Sequence, residues 1–239
     1  VDGGDESATA TGSIYIQSAQ LESGLVATDY LDSTSVTGKA GVLVDLPRIN
    51  YDANGENGSL LLEPSRTNTW TYSEPTSGAI GGINNVSVFS DIDSFASIGL
   101  YGGAILQGGQ TQYIYNGPSV SGSTTYALSC YIKTSDGAAP VLANSSTSSS
   151  GDFIFVIGGQ TKTNLDSGID YSITQYSGDI YKVVATMTSN TSPTNPSNNG
   201  IIKFSGNRNA DLEITGLQWE LGSYVSSYIP TMGTSETRA

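Results

Sequence analysis

Thr125 to Lys133 reads TYALSCYIK. Tyr126, Leu128, Cys130 and Ile132 fall on one side of an extended chain, and Thr125, Ser129 and Lys133 fall on the other. Successive side chains of a strand point to opposite faces, so a period of two marks a half-buried β-strand. The same rhythm returns from Ile180 to Thr188, where Tyr181, Val183, Ala185 and Met187 alternate with Lys182, Thr186 and Thr188. Ile180 and Val184 make the second face of that strand partly apolar. Gln112 to Tyr115, Ile154 to Val156 and Ile201 to Phe204 read as further strands. Nowhere do apolar residues recur at helical spacing over three turns. Asn54-Gly55, Asn57-Gly58, Asn116-Gly117, Ser177-Gly178 and Asn199-Gly200 offer pairs that tolerate positive φ, as tight turns require. Two stretches rich in Ser, Thr, Asn and Pro, Ala143–Gly151 and Ser189–Asn199, read as long loops. Short strands with turn chemistry every roughly 8–12 residues predict an all-β chain, an antiparallel β-sandwich.

Composition narrows the function classes. The chain has 239 residues, 22 acidic against nine basic, for a formal net charge of −13. Such a surface repels phosphate backbones and anionic lipid, so neither nucleic acid nor membrane insertion is expected. No run of about 18 apolar residues is present to form a spanning helix. Histidine is absent, which removes the commonest general base and the commonest zinc ligand. Cys130 is the sole cysteine, in an alternating run, and reads as a buried inert thiol. Charged residues are only 13%, and the 14 Tyr and short aliphatic runs argue against disorder. A polar surface with so few charged residues suits an extracellular or virion setting. The chain starts at Val1 without a basic-then-apolar leader, which reads as a piece of something longer.

An internal repeat is the most informative feature. IYIQSAQLESGLVATDYL runs from Ile14 to Leu31, and LEITGLQWELGSYVSSYI from Leu212 to Ile229. Ile16, Gln20, Glu22, Gly24 and Tyr30 match Ile214, Gln218, Glu220, Gly222 and Tyr228. Both copies share a phase slip: Ile14 and Ile16 lie on one alternation phase, Ala19 and Leu21 on the other, as do Leu212, Ile214 and then Leu217, Trp219. One extra residue in the strand, a β-bulge, produces such a slip. A repeat this far apart suggests two related units, the first present here only as its final strand. Residues 1–45 read as an N-terminal extended arm, the last strand of a preceding module or one that completes a neighbour's sheet, and 46–239 as the sandwich domain.

Leu46 to Asn68 reads LPRINYDANGENGSLLLEPSRTN. It resembles a module of bacteriophage tail and fibre proteins that opens with PRIDY-like and LLLEPxRTN-like strings. Those domains close with a string like GxQLExGxxxTSYIPTxGxxxTR. Gly216–Gly222, Ser227–Thr231 and Thr237-Arg238 match that close, although Trp219 stands where a smaller apolar residue is usual. The two strings cover about a third of the chain, and the middle matches only in its strand rhythm. The resemblance implies a concanavalin-like or carbohydrate-binding-module-like jelly roll in a virion appendage.

Four sets of residues are candidates for a role. Glu63, Arg66, Gln218 and Glu220 sit in the opening and closing strings. Arginine's planar fork matches a carboxylate, so Arg66 is expected to pair with Glu220 or Glu63 in a structural latch, which is preferred over sugar recognition by the same groups. Trp70, Tyr72, Tyr101, Tyr113 and Tyr115 form a candidate stacking platform for a sugar's apolar face, with Tyr113 and Tyr115 on one strand face. The alternative for these rings is the core, and Trp219 is assigned there. Asp91 and Asp93, with the Asp166–Asp170 stretch, are candidates for calcium; they lack an EF-hand loop, so a solvated turn is preferred and no cofactor is required. Catalysis needs only two acids in a glycosidase, and Glu63 with Glu220 would be the first pair to test. With no nucleophile elbow, phosphate loop or dinucleotide fingerprint, no enzyme is expected.

The expectation is a structural and adhesive virion component, extracellular, built into a tail fibre, appendage or head fibre. Its partners are copies of itself (a trimer, by family analogy), other virion proteins and cell-surface glycans. Its rivals are a carbohydrate-binding module of a secreted bacterial polysaccharide-active enzyme, a purely architectural virion protein, and a glycan hydrolase or lyase domain.

Overall fold

The computed structural model describes residues 48–50, 58–61, 63–75, 88–90, 93–116, 118–144, 151–163, 169–196, 198–205 and 208–238. For 48–50, 59–61, 88–90, 93 and 116 it describes the backbone alone. The chain divides into two compact units. In the first, β1 (Arg48–Asn50) pairs antiparallel with β2 (Ser59–Leu61), Ile49 in register with Leu60. The second, from Glu63 onward, carries the sandwich. The earlier repeat copy, Ile14–Leu31, lies outside the described residues.

The second unit contains β3 (Arg66–Asn68), β4 (Val88–Ser90), a short 3-10 helix (Asp93–Ile98), β5 (Gly103–Leu106), β6 (Gln112–Asn116) and β7 (Thr125–Thr134). It continues with β8 (Phe153–Ile157), β9 (Gln160–Lys162), β10 (Ile169–Ser177), β11 (Ile180–Thr188), β12 (Asn199–Lys203), β13 (Leu212–Leu221) and β14 (Glu236–Arg238). One layer is a six-stranded sheet, ordered β10-β11-β7-β13-β5-β4; the other has four strands, β6-β12-β8-β9. All of their strand pairings are antiparallel. From β5 to β8, and again from β11 to β13, consecutive strands alternate between the layers, which is the jelly-roll arrangement.

The alternation read from the sequence sets the layers. Leu128, Cys130 and Ile132 of β7, with Val183, Ala185 and Met187 of β11, enter the core from the six-stranded sheet. Phe153, Phe155 and Ile157 of β8, Ile114 of β6 and Ile201 of β12 meet them from the other side. β8 is buried along its whole length, so its FIFVI sequence shows no polar phase. Trp219 is fully buried, in agreement with its assignment to the core.

The phase slip in β13 is a bulge. Thr215 stands opposite Tyr131 and Gln218 opposite Ser129, so Gly216 and Leu217 together face one residue, Cys130. Gly216 has φ 60°, and an added Cβ would lie 2.6 Å from the Tyr131 ring. A left-handed glycine at the first bulge position is what lets the strand change phase and bury both Ile214 and Leu217.

One turn expectation is corrected. Asn199-Gly200 opens β12 instead of forming a turn. Gly200 lies so close to β6 that a Cβ there would meet the Ile114 carbonyl and Tyr115, 2.8 Å away. Asn199 accepts from the Gly158 N–H at 3.0 Å and donates to the Pro196 carbonyl at 3.2 Å, so its side chain serves two loops. Ser177-Gly178, by contrast, does fall at a hairpin: Gly178 and Asp179 alone separate β10 from β11, and Gly178 has φ 55°.

Burial gives the fold an alkaline limit. Cys130 is fully buried and its thiol is pushed up to about 12 from 9.0. Burial raises the phenols of Tyr131 and Tyr228 as well. A raised acid is neutral in the fold while its unfolded counterpart ionises, so its stabilisation is complete below the unfolded value and is lost as pH rises toward the folded one. The part of the denaturant midpoint that Cys130 supplies, read against Cys130→Ala, should therefore stay level up to pH 9.0 and fall progressively above it. Cys130 should react with thiol reagents only after unfolding.

Candidate functional site

The opening and closing strings meet on β13. Past the bulge, β13 leaves its neighbour β5, which pairs only with Leu212–Ile214. The vacated edge is taken by residues 66–73: Thr69 N–H donates to the Trp219 carbonyl at 2.9 Å and Leu217 N–H to the Ser73 carbonyl at 2.9 Å. β14 then pairs with β3, Thr237 opposite Thr67 and Arg238 opposite Arg66.

All four latch residues are in this junction, with one pairing different from expectation. Gln218 and Glu220 are fully buried on the β13 face opposite to Trp219, beneath Ser226–Ile229. Glu220 accepts from Gln218 Nε2 at 2.9 Å, from Ser226 N–H at 2.9 Å and from the Ser226 hydroxyl. Gln218 Oε1 accepts the Ile229 N–H at 2.6 Å. Glu63 accepts from the N–H of Ser227 at 2.8 Å and from its hydroxyl. Its ionic partner is Arg238, Nη2 to Oε2 2.8 Å, and not Arg66. Arg66 instead donates to the Leu221 carbonyl and lies over the Tyr224 ring, 4.3 Å from its centre. The two arginines are cross-strand neighbours, and the closing one reaches the acid. Nearby, Lys182 is held below the usual ammonium range by burial, with Glu63 and Glu220 opposing that shift.

Sequence reasoning overlooked Asn68, the last residue of the RTN string. Its side chain is fully buried and bonds four backbone groups. Oδ1 accepts from Trp70 N–H at 3.1 Å and Trp219 N–H at 3.0 Å; Nδ2 donates to the carbonyls of Leu217 at 3.2 Å and Ile229 at 2.8 Å. One amide thus ties the opening strand, the bulged strand and the closing segment. A second polar knot, also unforeseen, holds the other loops: Arg208 bonds Asp152 at 2.9 Å, and Asp152 accepts the Val141 N–H at 2.8 Å.

The aromatic set does not form one platform. Trp70 is fully buried and belongs to the core, which corrects its assignment as a stacking surface. Tyr72 is half-buried and bridges Met232, beside the latch. Tyr101 is exposed, just before β5 in the six-stranded sheet. Tyr113 and Tyr115 lie in the other layer. Their neighbour Ile114 points into the core, so both rings are on the outer face of β6, half-buried. Their centres are 6.3 Å apart, edge to face at 78°. Of the calcium candidates, Asp91 and the Asp93 side chain lie outside the described residues, as does Asp166, while Asp170 is exposed on β10. Among the described residues, no cluster of three or more acidic or cysteine side chains could hold a metal ion.

The chain matches none of the protein-family models, and a search of curated proteins finds no match.

Proposed function

We propose that this chain is a structural and adhesive virion component, a jelly-roll module of a phage fibre or head appendage that contacts surface glycans without cleaving them. The observation that carries the proposal is the Tyr113–Tyr115 pair, two rings set edge to face on the outward face of the four-stranded sheet. Apolar sugar faces stack on such rings, and a strand holds them at fixed spacing with little entropy left to lose. The use of Glu63 and Glu220 supports a role other than catalysis for that pair. Each carboxylate is engaged by backbone and hydroxyl donors of the closing segment, as a structural tie requires. Homo-oligomerisation belongs to the same proposal, which requires no cofactor.

A glycan array tests it. Wild type should bind a restricted set of surface polysaccharides. Tyr113→Ala and Tyr115→Ala should each weaken that binding by about tenfold, the equivalent of ~1.4 kcal/mol, with little change in melting temperature. Binding left intact by both substitutions would remove the tyrosine pair as the contact.

A further inference from the structure

Four strands end the two sheets of the sandwich, and three are short. β4 and β9 have three residues each, with Lys162 on β9, and β6 has five. β10 has nine. Among the described residues nothing pairs with its far side. A long open edge presents a row of backbone donors and acceptors, and proteins usually blunt such an edge with lysine, proline or a bulge. IDYSITQYS contains neither lysine nor proline, and Asp170 is its one charge. A register shift is confined to Gln175/Ser177, which leaves Ile169–Gln175 regular against β11. Ile169 and Ile173 are only partly buried against the core, and Tyr171, on the same face, is 39% exposed. The edge is therefore apolar on its inner side and unfinished.

We propose that β10 is a docking edge for β10 of a second copy of this chain, antiparallel about a twofold axis at Ser172. The register follows from the seven regular residues. With Ser172 opposite its own counterpart, Tyr171 meets Ile173 twice on the inner face, an aromatic–β-branched pair of the kind that stabilises sheets. On the outer face each Asp170 carboxylate meets a Thr174 hydroxyl, and the two carboxylates stay four residues apart, about 14 Å along the strand. A chain of net charge −13 can meet itself here because the contact sets its acids against neutral donors. The contact is isologous and closes at two copies, in place of the three expected by family analogy. It is independent of the glycan reading.

Sedimentation of the full chain tests it. Wild type should sediment at twice the chain mass. Ser172→Lys, an exposed position on the outer face, sets two ammonium groups directly opposite and should give a folded monomer whose melting temperature, unlike that of wild type, does not depend on protein concentration. Mixing Ser172→Lys with Ser172→Glu should restore a dimer that neither forms alone. Wild type running as a monomer at all concentrations would overturn the proposal. So would a Ser172→Lys variant that remains dimeric, or a mixture that stays monomeric.

Discussion

Asn68→Ala should lower stability by about 3–5 kcal/mol, the largest loss expected from any single polar side chain of the sandwich. The side chain is fully buried, and its removal leaves the N–H groups of Trp70 and Trp219 and the carbonyls of Leu217 and Ile229 without that partner in a dry site. Each lost bond costs roughly 1 kcal/mol, more where the orphaned group cannot reach water. For a chain of this size the loss corresponds to a melting temperature lower by about 6–20 °C. Asn68→Asp sharpens the test because it is nearly isosteric. It keeps the acceptor for the two N–H groups but turns a carboxylate oxygen toward two carbonyls, so it should be at least as damaging as alanine. If thermal melts place both variants within about 1 kcal/mol of wild type, the amide does not hold the junction.

Glu220 carries the second large effect. Its buried carboxylate is the shared acceptor for Gln218 Nε2 and for both donors of Ser226. Bonds to a charged acceptor are worth about 1.5–3 kcal/mol each when a partner is deleted, and the three share one site. Glu220→Ala should therefore cost about 3–4 kcal/mol. Glu220→Gln retains one carbonyl acceptor and should fall between the two. Denaturant titration should give that order of midpoints with an unchanged slope, since the folded surface is the same. A glycosidase acid would behave otherwise: its replacement would abolish turnover and spare stability.

Much of the fold was legible because period two is set by backbone geometry alone. TYALSCYIK and IYKVVATMT marked β7 and β11 as strands with the correct faces inward, and the two prove to be neighbours. The bulge was legible for the same reason: Ile214 and Leu217 cannot both be buried unless the strand gains a residue. Asn199-Gly200 misled because the dipeptide that suits a tight turn also suits a close strand approach, and only the position of β6 decides between them. The site was harder to read. Arg66 and Arg238 stand opposite each other, so no spacing tells which guanidinium reaches Glu63. Trp70 is a core residue only because its segment takes the edge that β5 leaves free, a non-local event. Asn68 went unnoticed, since a polar side chain that satisfies four backbone groups leaves no periodic trace.

The account rests on binding without turnover at the outer face of the four-stranded sheet. The direct measurement is prolonged incubation of the protein with the polysaccharide it selects, following bound protein and newly formed chain ends together. The account predicts retention that falls with Tyr113→Ala and Tyr115→Ala and no rise in chain ends. New chain ends that disappear with Glu63→Gln or Glu220→Gln would contradict it.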